Sequence, residues 1–188
     1  MRYSDKDWIK VNRHEKNINH YLIIDGYNII NAWDNLKELA KEDLEDSREK
    51  LIDDIIEFSE FMGYKTIIVF DAYNVKNSRE KVEKRKHITI VYTREHQTAD
   101  SYIEKFITSL SKYDDVKVAT NDYAEQQMIL GKGATRMSAR ELKLELDRSK
   151  NKMKEKNIGL RKKIQRNWLE ERLDKETLSK LENIRRKR

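Results

Sequence analysis

The stretch YLIIDGYN, Tyr21 to Asn28, determines how the rest of this chain is interpreted. Its first four residues are apolar or aromatic, and they predict a buried strand. That strand ends at Asp25, and Gly26 permits the sharp turn that follows. Open parallel α/β sheets bind their ligands at the carboxyl ends of the strands. The stretch therefore predicts a carboxylate at a ligand-binding edge.

A second segment, KTIIVFD from Lys65 to Asp71, ends in the same way. Between the two, residues 43 to 62 carry apolar side chains at helical spacing, and Gly63 is placed to end that helix. The helical spacing is set by Leu44, Leu51, Ile52, Ile55, Phe58 and Met62. Strand, helix and strand predict a right-handed parallel crossover. Each Asp could instead cap a helix or start a turn, and this alternative stays open for either residue alone.

Further elements follow along the chain. We expect a loop and short helix over residues 27–39, a basic surface loop or frayed helix over 74–86, and strands over 87–92 and 115–120. Residues 98–110 predict a helix, with Asp100 in its first turn, where an acid also favours the helix dipole. Asp122 with Glu125 and Ser138 with Glu141 match capping boxes. The second box opens a long helix, for which we expect a break near Gly159.

Composition restricts the class of protein. The chain has 188 residues, of which 37% are hydrophobic and 39% charged, and it has no Cys. It contains no apolar run near the ~20 residues that span a bilayer, and no signal-peptide pattern at its start. We expect a soluble, cytoplasmic protein with no thiolate metal site. We divide it into an extension (1–19), a main α/β domain (20–147) and a basic helical arm (148–188).

The positive charge is concentrated near the end of the chain. Residues 147–188 hold 16 Lys and Arg against 7 Asp and Glu, a balance of +9, so the remainder carries −3 of the total +6. A basic arm on an acidic body is typical of a polyanion-binding protein, although a solvated helix has a similar composition. For contacts with nucleic-acid phosphates we select basic residues from the loop after Asp71 and from the region around the start of the long helix: Lys76, Arg79, Lys84, Arg85, Lys132, Arg136 and Arg140.

The acids at the strand ends indicate a chemistry. Three carboxylates within ~4 Å of one another repel by several kcal/mol per pair, so such a cluster needs a cation or a shared proton. With oxygen ligands and no Cys, the favoured cation is Mg²⁺ or Mn²⁺. Held by Asp25, Asp71 and Asp100, this metal would support hydrolysis of a phosphodiester. Phosphate also accounts for the basic arm and loop.

Five motifs in order carry a family resemblance: DGYN (25–28), VFDAY (69–73), TADSYIEK (98–105), ATNDYAEQ (119–126) and GATRMSAREL (133–142). Over residues 21–150 the chain resembles the YacP-like NYN-domain proteins, relatives of PIN-type nucleases. The resemblance implies a PIN-like three-layer α/β/α sandwich with a mainly parallel central sheet. It also implies a Mg²⁺-dependent endoribonuclease that associates with the ribosome and cuts mRNA during translation.

The resemblance also assigns residues. Asp25, Asp71 and Asp100 match the family's acidic metal positions, Asp122 matches a fourth acid, and Asn28 matches a motif Asn that orients water or a ligand. Asn121 stands where the family pattern has Ser. We expect Asp25 and Asp100 to bind one metal directly, with Asp71 and Asp122 acting through water or at a second ion. Tyr27 and Tyr73 could stack bases beside the site.

Two other functions match part of this pattern. A haloacid-dehalogenase-like phosphatase also begins with a strand-end Asp, but it needs a second Asp two positions on, where this chain has Tyr27. The stronger alternative is a non-catalytic module that binds RNA or the ribosome and keeps a vestigial acidic pocket. In either case we expect a monomer.

Overall fold

A computed structural model describes residues 18–71, 79–122, 129, 131, 133–172, 177 and 183 of the chain. The described strands are β1 (His20–Asp25), β2 (Lys65–Phe70), β3 (Lys81–Arg85), β4 (Ile88–Tyr92), β5 (Asp115–Ala119) and β6 (Thr135–Met137). The described helices are α1 (Gly26–Ala32), α2 (Asp34–Glu42), α3 (Leu44–Met62), α4 (Ala99–Ser109) and α5 (Ala139–Arg172). Contacts divide the chain into two units, residues 1–142 and 143–188. The predicted functional division at residues 19 and 147 stays a prediction.

In the first unit, six strands form one sheet in the order β3-β4-β2-β1-β5-β6. Every neighbouring pair is parallel except β3 with β4. The central strand is β1, in which Ile23 pairs with Ile67 of β2 on one side and with Val118 of β5 on the other. The predicted mainly parallel α/β fold is thus confirmed. The strand order reverses at β1, which is where such sheets bind ligands.

Alternation along the strands gives this sheet two buried faces. One face packs its apolar residues against α4 through Ile103 and Ile107. The alternate residues of β1 and β2 are also buried, and they face the side to which α1 and α3 contribute their apolar residues. The first face includes Ile23, Ile67, Val69, Val91 and Val118, and the second includes Leu22, Ile24, Ile68 and Phe70. The sheet therefore lies between two helical layers, as predicted.

Helix α3 is the helix that the sequence predicts between the first two apolar strands. Asp43 caps it by accepting hydrogen bonds from the backbone N–H groups of Glu45 and Asp46, and Gly63 ends it at a φ of 74°. Only a residue that tolerates the left-handed conformation fits there, so the predicted glycine stop is confirmed. Leu44 and Met62 were wrongly assigned to its buried face, because they lie at the two helix ends and are 43% and 42% exposed.

Two predictions of local structure were wrong, and one strand was missed. Residues 81–85 form strand β3 and not a loop or frayed helix, while residues 74–78 lie outside the described part of the chain. Among the described strands, β3 lies at the edge and pairs with β4 alone, and its charged sequence gave no apolar alternation. Strand β6 was missed because three residues are too few to show a period. Two helices, α1 and α2, replace the expected loop and short helix.

In the second unit, α5 continues to Arg172, so the break expected near Gly159 does not occur. A glycine inside a helix costs only about 1 kcal/mol relative to Ala, and the Lys, Arg, Leu and Gln residues around it are good helix formers. Among the described residues, no helix has the length and apolar character needed to cross a membrane. The predicted extension lies outside the described residues except for Ile18 and Asn19.

Candidate active site

The carboxyl ends of β1, β2, β4, β5 and β6 meet at one edge of the sheet, because these strands run parallel. Asp25 is the last residue of β1 and lies between the ends of β2 and β5. Asp71 directly follows β2, and Asp122 follows β5 by three residues. Asp100 lies in the first turn of α4. Each of the four predicted acids is therefore next to an element that reaches this edge.

Asp25 is both a helix cap and a buried acid. Its carboxylate accepts a hydrogen bond of 3.1 Å from the backbone N–H of Asn28, which caps α1. The capping alternative is thus confirmed for this residue, but it does not account for the burial, since only 8% of Asp25 is exposed. Burial raises the pKa of Asp25 to about 6, against the lowering effect of the Asn28 hydrogen bond.

The other three acids act on Asp25 through space. After burial, the charges of Asp100, Asp71 and Asp122, in that order, contribute to the raised pKa of Asp25. The three other carboxylates thus lie close enough to Asp25 to affect its charge. Asp100 follows the capping residue Thr98, so it also favours the helix dipole. The capping box proposed for Asp122 needs Glu125, which lies outside the described residues.

The donor set suits a hard divalent cation by its chemistry, since the carboxylates supply oxygen ligands and burial disfavours the negative charge of Asp25. In their present positions, no three acidic or histidine side chains among the described residues form a group that could hold a metal ion. A cation bound directly by three of these carboxylates would draw them closer together. Metal binding by Asp25, Asp71, Asp100 and Asp122 stays a prediction.

A hydrogen-bonded chain of asparagines fixes the edge between β1 and β5. The side-chain oxygen of Asn28 accepts from the backbone N–H of Asn121 at 2.8 Å. The side-chain oxygen of Asn121 in turn accepts from the backbone N–H of Ala139 at 2.9 Å, at the start of α5. The indole N–H of Trp33 donates to the carbonyl of Ala139 at 2.9 Å. These bonds join α1, the end of β5 and the start of α5.

Thr120 positions the fourth acid. Its side chain is fully buried, and its hydroxyl accepts a hydrogen bond of 3.0 Å from the backbone N–H of Asp122. Sequence reasoning missed Thr120 and Trp33, and it treated Asn121 only as a departure from a family pattern. The sequence feature that could have identified Thr120 and Asn121 is the polar run TND at the end of an apolar strand, because side chains that hydrogen-bond to the backbone are common there. The predicted role of Asn28 toward water or a ligand stays a prediction.

The basic residues selected for RNA contact lie at several places. Arg79 and Arg85 line a cavity next to Asp71. Lys84 alternates with Arg85 along β3 and so points to the other face of the sheet. Arg136 lies on β6, at the edge of the sheet opposite β3, and Arg140 lies in the first turn of α5. Lys76, Lys132 and Tyr73 lie outside the described residues.

The parallel sheet with four acids around its carboxyl edge is the arrangement of a nuclease-type α/β domain. A family model for the YacP-like NYN domain matches residues 22–186, and the chain belongs to that family. This match extends well beyond residue 150, where the sequence resemblance ended.

Individual relatives agree with the family assignment. The chain is 42% identical over 127 residues to a Bacillus subtilis (strain 168) protein described as "Uncharacterized protein YacP", a match covering 67% of this chain and 74% of that protein. The crystal structure of Rae1 (YacP) from Bacillus subtilis is similar, with a TM-score of 0.65 and 36% identity over 88% of this chain and 94% of that chain. The crystal structure of a mutant of the same Rae1 protein gives a TM-score of 0.67 and 33% identity over 78% of this chain and 86% of that chain.

Proposed function

We propose that this protein is a Mg²⁺- or Mn²⁺-dependent endoribonuclease that hydrolyses mRNA phosphodiester bonds on translating ribosomes. The observation that carries the proposal is the environment of Asp25. This carboxylate lies at the reversal point of the sheet, where its burial, together with three further acids, raises its pKa to about 6. Perturbed acids of this kind occur mostly at functional sites. The nuclease-type family makes phosphodiester hydrolysis the matching reaction.

Asp25, Asp71, Asp100 and Asp122 would hold the metal. When bound, a hard divalent cation lowers the pKa of water and offsets the charge that develops on the phosphate oxygens. The chain itself supplies orientation. Asn28 fixes Asp25 through its backbone N–H, and Thr120 fixes Asp122 through its hydroxyl. Asp25 must also lose its proton before it can act as a ligand, so metal binding should weaken as the pH falls.

Two arguments support mRNA as the substrate and the ribosome as a partner. One is the family resemblance, which implies cleavage during translation. The other is the basic segment over residues 147–188, whose balance of +9 favours a polyanionic partner. Arg79 and Arg85, beside Asp71, place further positive charge next to the acids. These charges would attract a phosphate backbone that the carboxylates alone repel.

The test compares cleavage of a 5′-labelled single-stranded RNA and of a translated mRNA by the unaltered protein, Asp71→Asn and Asp100→Asn. The matched control is Glu104→Gln, because Glu104 is an exposed acid one turn beyond Asp100 in the same helix. We expect both Asp variants to lose cleavage, and chelation followed by Mg²⁺ to abolish and then restore it in the unaltered protein. Full activity in both Asp variants would overturn the site. Binding to RNA or ribosomes without any cleavage would favour the non-catalytic module.

A further inference from the structure

A cavity of about 490 Å³ opens next to the acidic edge and shares Asp71 with it. Its volume lies within the ~300–1,000 Å³ typical of small-molecule sites. We call it the tyrosine cavity. Its walls come from α1, α3, β3 and the ends of β2 and β4, and they consist of Tyr27, Glu45, Arg48, Asp71, Arg79, Lys81, Glu83, Arg85, Tyr92 and Thr93.

Two of these walls are aromatic and rigidly supported. The ring of Tyr92 stacks on the fully buried Phe70, with centroids 5.5 Å apart and an interplanar angle of 21°. The ring of Tyr27 meets the same Phe70 edge to face at 5.3 Å. Tyr27 and Tyr92 are themselves only half-buried, so both combine a fixed position with access to solvent. Such rings are the usual platforms for unstacked nucleic-acid bases.

Cations lie beside the two tyrosines. The guanidinium of Arg48 donates a hydrogen bond of 2.8 Å to the Tyr27 hydroxyl, and its central carbon is 5.9 Å from the centre of the Tyr92 ring. The Lys81 ammonium nitrogen is 5.6 Å from the same ring centre. The Nε atom of Arg48 is buried and has no hydrogen-bond partner within the described residues. The cavity thus offers positive charge next to both aromatic rings.

The charges of the walls are arranged in pairs. Arg48 binds Glu45, and Lys81 binds Glu83, while Arg85 binds Glu49 through two bonds of 2.5 and 2.9 Å. Arg79 is exposed on the same cavity, close in sequence to the paired Lys81. In total, four cations face three carboxylates, one of which is Asp71. A ligand that stacks on tyrosine and carries one phosphate would match these walls.

We propose that the tyrosine cavity holds one unstacked nucleotide of single-stranded RNA, next to the phosphate that is cut at the acidic edge. The base would stack on Tyr27, or on Tyr92 in place of the Arg48 or Lys81 side chain that now lies over its ring, and the phosphate would contact Arg79 or Lys81. A paired base cannot enter, because its faces are already stacked within the duplex. The cavity therefore selects single-stranded RNA. This inference rests on the proposed nuclease function.

The test measures binding of a fluorescein-labelled RNA hexamer, single-stranded or in a duplex, to full-length protein carrying Asp100→Asn so that it is not cut. In that background, Tyr92→Leu removes the stacking ring and Tyr92→Phe keeps it. The matched control is Tyr113→Leu, since Tyr113 is 52% exposed and has Lys112 over its ring at 5.2 Å, but lies outside the cavity. Arg48→Met is a second variant of the cavity itself.

We expect Tyr92→Leu and Arg48→Met to weaken binding of the single strand at least fivefold, with Tyr92→Phe and Tyr113→Leu close to the parent protein. Binding of the duplex should be weak throughout and indifferent to these changes. Urea unfolding of each variant distinguishes lost stacking from lost folding, and Arg48→Met tests the inference if Tyr92→Leu does not fold.

The same variants with Asp100 intact separate this inference from the proposed function. If cleavage is normal and single-strand binding is unchanged in Tyr92→Leu and Arg48→Met, the cavity is not the nucleotide site, while the nuclease proposal stands. If the unaltered protein cuts no RNA but Tyr92→Leu still loses single-strand binding, the nuclease proposal fails and the cavity remains an RNA-binding site.

Discussion

The side-chain oxygen of Asn28 accepts a hydrogen bond of 2.8 Å from the backbone N–H of Asn121, a residue 93 positions further along the chain. Asn28 also donates its own backbone N–H to Asp25. One asparagine thus joins the acid at the end of β1 to the segment that carries Asp122. The separation of the acids at the candidate site depends on this link.

Replacing Asn28 by Ala should loosen that link. We expect the free energy of unfolding to fall by about 1–3 kcal/mol, because the Asn121 N–H loses its partner. Cleavage should fall by about 10- to 100-fold, since small displacements of catalytic groups are costly. Asn31→Ala is the control, because Asn31 is exposed in the same helix. Equal activity in the two variants, measured by initial cleavage rates, would contradict the role given to Asn28.

Asp25→Asn should stabilise the metal-free protein while abolishing cleavage. The pKa of Asp25 is raised from an ordinary 3.8 to about 6 in the folded state, so the folded protein holds this proton where the unfolded chain has released it. The stability that Asp25 contributes is therefore complete below about pH 4 and lost as the pH rises through about 6. Above pH 7 its ionised form costs about 3 kcal/mol. Asn removes this charge and can still cap α1.

Urea unfolding in the presence of a chelator checks this prediction at pH 4 and pH 7.5. Asp25→Asn should exceed the unaltered protein by about 1–3 kcal/mol at pH 7.5 and by much less at pH 4. Asp53→Asn, which changes an exposed acid of α3, should show no such pH-dependent gain. A loss of stability in Asp25→Asn at pH 7.5 would contradict the burial argument.

Gly26→Ala should destabilise the fold, because a Cβ atom at Gly26 would overlap the ring of Phe70. Overpacking of this kind costs about 1–3 kcal/mol, more than Ala gains in helix propensity. Gly131→Ala is the matched control, since a Cβ there would meet nothing within 4 Å. Thermal unfolding followed by circular dichroism should show a lower midpoint for Gly26→Ala alone. Equal midpoints for the two variants would show that Phe70 can move aside.

The basic segment after residue 147 should govern the salt dependence of RNA binding. Changing three of its exposed lysines to Gln should make the negative slope of log K against log salt shallower by about 2 for single-stranded RNA. Three exposed lysines of α2 and α3 serve as the control. The two sets are Lys152, Lys154 and Lys156, and Lys37, Lys41 and Lys50. An unchanged slope in the first set would show that these lysines do not contact the RNA.

The strands that carry the acids could be predicted from the sequence because each is a buried apolar run ending in a polar residue. The same reasoning identified α3 and α4 by their periodic apolar faces and their caps. It also placed Asp25, Asp71 and Asp100 at one edge, since parallel strands end together, whereas the assignment of Asp122 came from the family resemblance. These predictions depended on local sequence patterns, and the same strands and helices are present in the fold.

Other features depend on contacts between distant residues and gave no local signal. Strand β3 owes its conformation to pairing with β4, so its charged sequence resembled a loop. In the sequence, Tyr92 is recognisable only as the last residue of a strand. Its position opposite Tyr27 results from the packing of both rings on Phe70. The bonds from Asn121 to Asn28 and Ala139 are equally long-range.

The most direct test of the account is end-mapped cleavage of a translated mRNA in a reconstituted translation system. The unaltered protein and Asp100→Asn are compared at one fixed concentration of free Mg²⁺, because ribosomes themselves depend on that ion. The account predicts discrete new RNA ends with the unaltered protein and none with Asp100→Asn. The same cuts with both proteins, or no cuts with either despite binding to the ribosome, would contradict it.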